Sequence, residues 1–245
     1  MRIASLWVLL SAASVGAYAQ APKTAKSSAP PETDFTGYWV SLVTEDWRWR
    51  MVTPPKGDYA SVPLTIEGRE VADTWNPAKD EAAGEQCRSY AAPAILRVPG
   101  RLHITWQDDE TLKVEVDAGR QMRFLHFGNW NAPVSAPTWQ GRTAATWELE
   151  RSREGEGPPK HGSIKTVTTH LRPGYLRKNG VPYSAQAELT EYWDVNPEPN
   201  GARTLVVTAV VHDPKYLQRD WITALHFKQE PDGSKWDPQP CSARW

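Results

Sequence analysis

Phenylalanine is scarce in this chain, with 4 Phe in 245 residues against 13 Trp. Cysteine is scarcer, and 2 Cys exclude both a disulfide-rich scaffold and a four-thiolate zinc site. Neither sign of charge dominates: 28 Lys and Arg face 29 Asp and Glu. That balance gives no electrostatic reason to expect nucleic acid as a partner. No G-x-S-x-G, Gly-rich phosphate loop or H-E-x-x-H occurs, so neither a cofactor nor a metal is indicated. What is present is ordinary for a folded protein, at 40% hydrophobic and 23% charged residues.

The first residues read as an address. Arg2 is followed by an apolar, small-residue run from Ile3 to Val15, too short to span a bilayer. Ala17-Tyr18-Ala19 then matches an A-x-A cleavage site, so residues 1–19 are expected to be a signal peptide. The alternative is an uncleaved anchor. No later stretch is apolar over the 18 or so residues a membrane helix requires, so the mature chain is expected to have no transmembrane segment. Residues 20–33, rich in Pro, Ala, Ser and Lys, read as a flexible tether, and 34–245 as one folded domain. An exported location, periplasmic or secreted, follows. In an oxidising compartment Cys87 and Cys241 most simply form one disulfide. The alternative, a reactive thiol, has no nearby Cys-His pairing or Gly-rich turn to support it.

Period-two segments dominate the domain. They fall at Tyr38–Val43, Asp46–Val52, Arg101–Trp106, Thr111–Val116 and Arg120–Phe127, and then at Thr143–Glu150, Ser163–Thr169, Ala185–Asp194, Thr204–Val211 and Trp221–Phe227. Turns marked by Gly and Pro separate them. Glu67–Gln86 alone has helical spacing, with Thr65 as N-cap and a break at Asn76-Pro77. The expectation is an all-β protein, an antiparallel barrel of about ten strands with a short helical insertion.

Certain residues are familiar in order. Gly37-Tyr38-Trp39 resembles the first motif of the lipocalins. Pro137-Thr138-Trp139-Gln140-Gly141, Trp147-Glu148, Leu176-Arg177-Lys178-Asn179-Gly180, Leu189-Thr190-Glu191, His212-Asp213-Pro214-Lys215-Tyr216 and Trp221 follow. This layout resembles a group of exported bacterial lipocalin-like β proteins over roughly residues 34–245. The resemblance implies a lipocalin-like barrel whose Trp39 closes the floor beneath an Arg from a late strand. It implies no reaction.

Several residues are candidates for a site. Indole is a broad apolar plate with one N–H donor, suited to stacking on aromatic rings or sugars. Trp47, Trp49, Trp106, Trp193 and Trp221 are therefore candidates to line a cavity, the alternative being that they fill the core. Arg48 and Arg50 alternate with Trp47 and Trp49. If the Trp face points out, both Arg enter the barrel and can grip an anion; otherwise both are solvated. His126, His170 and His212 are candidates for acid–base work because histidine titrates near neutrality. Glu188 and Tyr192 share a strand face and form a possible polar cluster, or else lie on the sheet exterior. The first functional reading is an exported protein binding a small apolar, aromatic or sugar-like ligand in a Trp-lined cavity. The alternatives are a lyase, isomerase or hydrolase on the same scaffold, and a structural envelope protein with a filled barrel.

Overall fold

The computed structural model describes residues 25, 26, 28–30, 32–128, 136–150, 157 and 159–244. The proposed signal peptide lies outside the described residues. Nine strands close into a barrel: β1 (Gly37–Leu42), β2 (Arg101–Trp106), β3 (Thr111–Val116), β4 (Gln121–Phe127), β5 (Arg142–Leu149), β6 (Gly162–Thr169), β7 (Glu188–Pro197), β8 (Arg203–His212) and β9 (Trp221–Glu230). Each strand pairs with its sequence neighbour, and β1 joins both β9 and β2.

The barrel is mixed rather than antiparallel. Strand direction reverses at every antiparallel step, so an odd-numbered closed barrel must contain a parallel step. It falls between β4 and β5, where Leu125, His126 and Phe127 pair in parallel with Thr143, Ala144 and Ala145. Residues 128–141 make the connection, long enough for the crossover a parallel pair requires.

The odd number traces to one misread segment. Asp46–Val52 is not a strand. Asp46 adopts the left-handed conformation at φ 53°, and Trp47–Arg50 forms a short helix, α1. Arg50 explains the departure. Its side chain is buried, donating to the Arg97 carbonyl at 3.0 Å, to Glu45 at 2.9 Å and to Ser41 Oγ at 3.0 Å. Three charge-assisted hydrogen bonds outweigh the alternation of Trp and Arg, which over seven residues is a weak signal.

The helical insertion is present, in pieces. Thr65 caps α2 (Ile66–Asp73) by accepting from the Gly68 amide at 3.0 Å, and Asn76 caps α3 (Pro77–Ala82). A further short helix, α4 (Ala92–Ile95), completes it. With the 213–220 loop and the 171–187 segment, this insertion lids one end of the barrel. Thr65 N donates to the Tyr216 carbonyl at 2.9 Å and Gln218 N to the Pro63 carbonyl at 2.8 Å. Tyr59, Leu64, Ala72, Leu176, Val181, Tyr183, Leu217 and Trp221 form the core beneath that cap.

The bore is occupied by side chains. Trp39, Leu102, Ile104, Val114, Leu125, Ile164, Trp193, Leu205, Val207 and Phe227 make one apolar core toward the far end. At that floor Trp39 Nε1 donates to the Phe35 carbonyl at 3.0 Å, and the Arg203 guanidinium lies 5.6 Å from the Trp39 ring centroid. Above it, Arg123 and Glu191 form a buried bidentate ion pair at 2.9 and 2.5 Å, braced by Thr166 Oγ1. Breaking one partner of such a pair costs about 3–5 kcal/mol. Residues upstream of Asp34 also bond to the barrel: Trp147 Nε1 donates to the Ala25 carbonyl and Gly162 N to Thr33 Oγ1. Cys87 and Cys241 are disulfide-bonded across 154 residues, tying the C-terminal tail to the cap. The chain-entropy argument makes such a link worth up to about 5 kcal/mol.

Candidate functional site at the capped mouth

A cleft rich in arginine lies within the cap, where the segments around α1 and α4 meet the 176–178 turn. It is a partly open cleft whose walls include Trp49, Val52, Arg97, Leu176, Arg177 and Lys178. Its enclosed part has room for about one water-sized group. Arg50 also reaches it, from the end of α1.

The basic residues arrive from three segments, Arg50 from α1, Arg97 from just after α4, and Arg177 with Lys178 from one hairpin. Arg97 follows α4, where the run Ala91–Val98 is otherwise apolar and buried. Its Nη2 donates to Asp46 at 2.9 Å. Arg177 and Lys178 sit on a hairpin tip. Leu176 N donates to the Val181 carbonyl at 2.7 Å, and Gly180 closes the turn at φ 82°. A side chain at Gly180 would collide with Trp75, whose Cβ lies 2.2 Å from where the added Cβ would be. Asn179, fully buried, ties this tip to the cap by donating to the Pro55 and Asp58 carbonyls at 3.1 and 2.9 Å.

Aromatic rings hold the guanidiniums. Arg177 lies 4.7 Å from the Trp49 centroid and 5.7 Å from that of Trp221, and Arg97 lies 4.8 Å from Trp221. Arg177 donates to the Ala60 carbonyl and to Ser61 Oγ, both at 2.7 Å. Burial, followed by the charge of Arg97, pushes Arg177 down to about 10, so it stays protonated at neutral pH. Burial also holds Arg97 and Arg50 below the usual arginine value, with Arg97 adding to the effect on Arg50. Lys178 donates to the Tyr90 hydroxyl at 2.7 Å, and burial pushes its amine down to about 6. Val52 in the wall is 63% exposed, and Trp47 and Met51, close to it along the chain, are 64% and 53% exposed.

Of the residues singled out from sequence, Trp49, Arg50 and Trp221 meet here. Trp47 is exposed and does not line the cleft. Arg48 points to solvent and pairs with Asp58 at 2.5 Å, so the two arginines of α1 do not act together. Trp193 is fully buried in the core, and Trp106 packs on Phe127 near the floor with ring centroids 5.6 Å apart. The other candidates are scattered. His126 faces Thr111 Oγ1 at 3.4 Å, and burial lowers its pKa. His170 is exposed with φ 55° and bonds Thr169. His212 is exposed and pairs with Asp220 at 2.8 Å. Glu188 is exposed and Tyr192 half-buried on the outer face, while Glu191 points inward. Among the described residues, no three His, Cys, Asp or Glu side chains are placed to hold a metal ion.

Arg97, Arg177 and Lys178 escaped the sequence reading. Arg97 had a signal, since a lone cation inside an eight-residue apolar run is a charge the fold must bury. Arg177 and Lys178 had only their turn, Asn179-Gly180, which marks a hairpin but not what it faces. The chain matches no family model, no curated protein and no solved structure. Among the described residues no helix is long and apolar enough to cross a membrane.

Proposed function

We propose that this is an exported small-molecule-binding protein with its ligand seat at the capped mouth of the barrel rather than in the bore. The carrying observation is the mouth cavity itself. It combines a half-buried Trp49, the apolar side chains of Val52 and Leu176 and several polar donors, the usual composition of a small-molecule site. The exposed apolar side chains of Trp47, Met51 and Val52, next to Trp49 in the chain, support an aromatic or acyl body lying outward from the enclosed part. Export rests on the Arg2 to Ala19 pattern, and the Cys87–Cys241 disulfide is compatible with it. A lipocalin-like relationship is proposed on the Gly37-x-Trp39 motif together with the Arg203 guanidinium over Trp39. The His, Glu and Tyr candidates do not converge, so the geometry gives the enzyme reading no comparable support.

The test is titration of the mature protein with a library of aromatic and acyl compounds, followed by tryptophan emission. The expected result is a saturable change for some members, weakened at least tenfold in Trp49→Ala. Absence of any saturable change, or binding indifferent to Trp49→Ala, contradicts the reading.

A further inference from the structure

We propose that the ligand carries an oxyanion head group, a carboxylate or a phosphate, held between Arg97 and Arg177. This rests on the reading of the mouth as the binding seat and adds the chemical class of what binds there.

The charge arrangement carries the argument. Three guanidiniums, Arg50, Arg97 and Arg177, line the cavity beside the Lys178 amine, and none of the lining residues is acidic. Three carboxylates stand behind them: Glu45 on Arg50 and Asp46 on Arg97, each at 2.9 Å, and Asp58, which pairs with Arg48 at 2.5 Å and acts on Arg177 from beyond ion-pair distance. Glu45 is shared with His226 at 3.1 Å. Arg177 donates only to neutral oxygens, and among the described residues no carboxylate lies within ion-pair distance of it. It is nonetheless 97% buried, by an exposure of 3%. Asp46 and Asp58 offset its charge only from a distance, and burying a guanidinium without a contacting counter-charge is costly, the more so with the buried Arg97 nearby.

Two donors are left over. Arg97 Nη1 and Arg177 Nε are buried and have no hydrogen-bond partner among the described residues. Such N–H groups normally find an acceptor. An oxyanion with two or more oxygens satisfies both donors and neutralises the excess charge together. Trp49 and Trp221 hold the Arg177 plane in place beforehand, which lowers the ordering needed on binding. The enclosed part admits about one water-sized group, so it takes one oxygen of a head group, with the rest of the ligand in the open part beside the exposed Val52.

The test is calorimetric titration of the mature protein with four probes: 1-naphthoate, 1-naphthyl phosphate, 1-naphthamide and inorganic phosphate. At least one naphthyl anion should bind tenfold or more tightly than the isosteric amide. That preference should vanish in Arg97→Met and in Arg177→Met, with folding checked by circular dichroism. The ranking of naphthoate against naphthyl phosphate separates the two head groups. If a variant does not fold, the acid-to-amide ratio on the wild type still decides. Equal affinity for acid and amide overturns the head-group inference and leaves the small-molecule reading standing. Binding of inorganic phosphate but of no naphthyl compound keeps the head group and removes the amphipathic ligand. Failure of all four probes counts against both.

Discussion

Lys178 gives the site a pH signature at the scale of one residue. Its amine is pushed down to about 6 by burial, whereas an unfolded lysine keeps its proton to about 10.4. Between those values the unfolded state binds more protons than the folded state. Stability therefore rises with pH from about 6 upward, by at most about 1.4 kcal/mol per pH unit from this group. Below about 6 both states are protonated and the contribution no longer changes with pH. Urea unfolding of wild type and Lys178→Met at pH values from 6.5 to 9 (about the middle of that window) isolates it, because other titrating groups are common to both proteins. The expected outcome is a steeper rise in wild type. Equal slopes would mean that the folded protein does not desolvate this amine.

At the scale of elements, the mouth depends on the hairpin tip of residues 176–181. Asn179 joins it to the cap loop through two hydrogen bonds to backbone carbonyls. Asn179→Ala leaves both carbonyls short of a buried donor, a loss of about 1–3 kcal/mol. The expected outcome is a lowered melting temperature together with weaker ligand binding, because Arg177 and Lys178 lose their anchor. Weakened stability with unchanged affinity would separate the tip from the site. The same elements show how far sequence reaches. Eight of the period-two segments from Arg101 onward appear within a few residues of their expected bounds, because one face of each is buried and the alternation is enforced. Thr65 and Asn76 cap the helices as their side-chain chemistry predicts. Asp46–Val52 failed because its conformation is set by Arg50 reaching Arg97, 47 residues away, which no local period encodes. Glu191 and Arg123 were legible in part. Each falls in phase with buried neighbours, Trp193 for one and Leu125 for the other, so period two alone places them inside.

At the scale of the whole molecule, the tryptophan excess divides by position. Trp39 and Trp193 fill the bore, Trp106 and Trp147 pack near the floor, and Trp49 and Trp221 frame the arginines at the mouth. Filling and lining thus occur in one barrel, at different depths. Loss of one expected strand also sets its topology, since nine strands close only with the parallel β4–β5 step. The central claim is that ligand meets the protein at the mouth and not in the bore. Two-dimensional NMR of the indole N–H signals during titration with 1-naphthoate tests it directly. Shifts in Trp49 and Trp221, with Trp39 and Trp193 unmoved, are the expected result. Shifts centred on Trp193 or Trp39 would place the ligand in the bore and contradict the account.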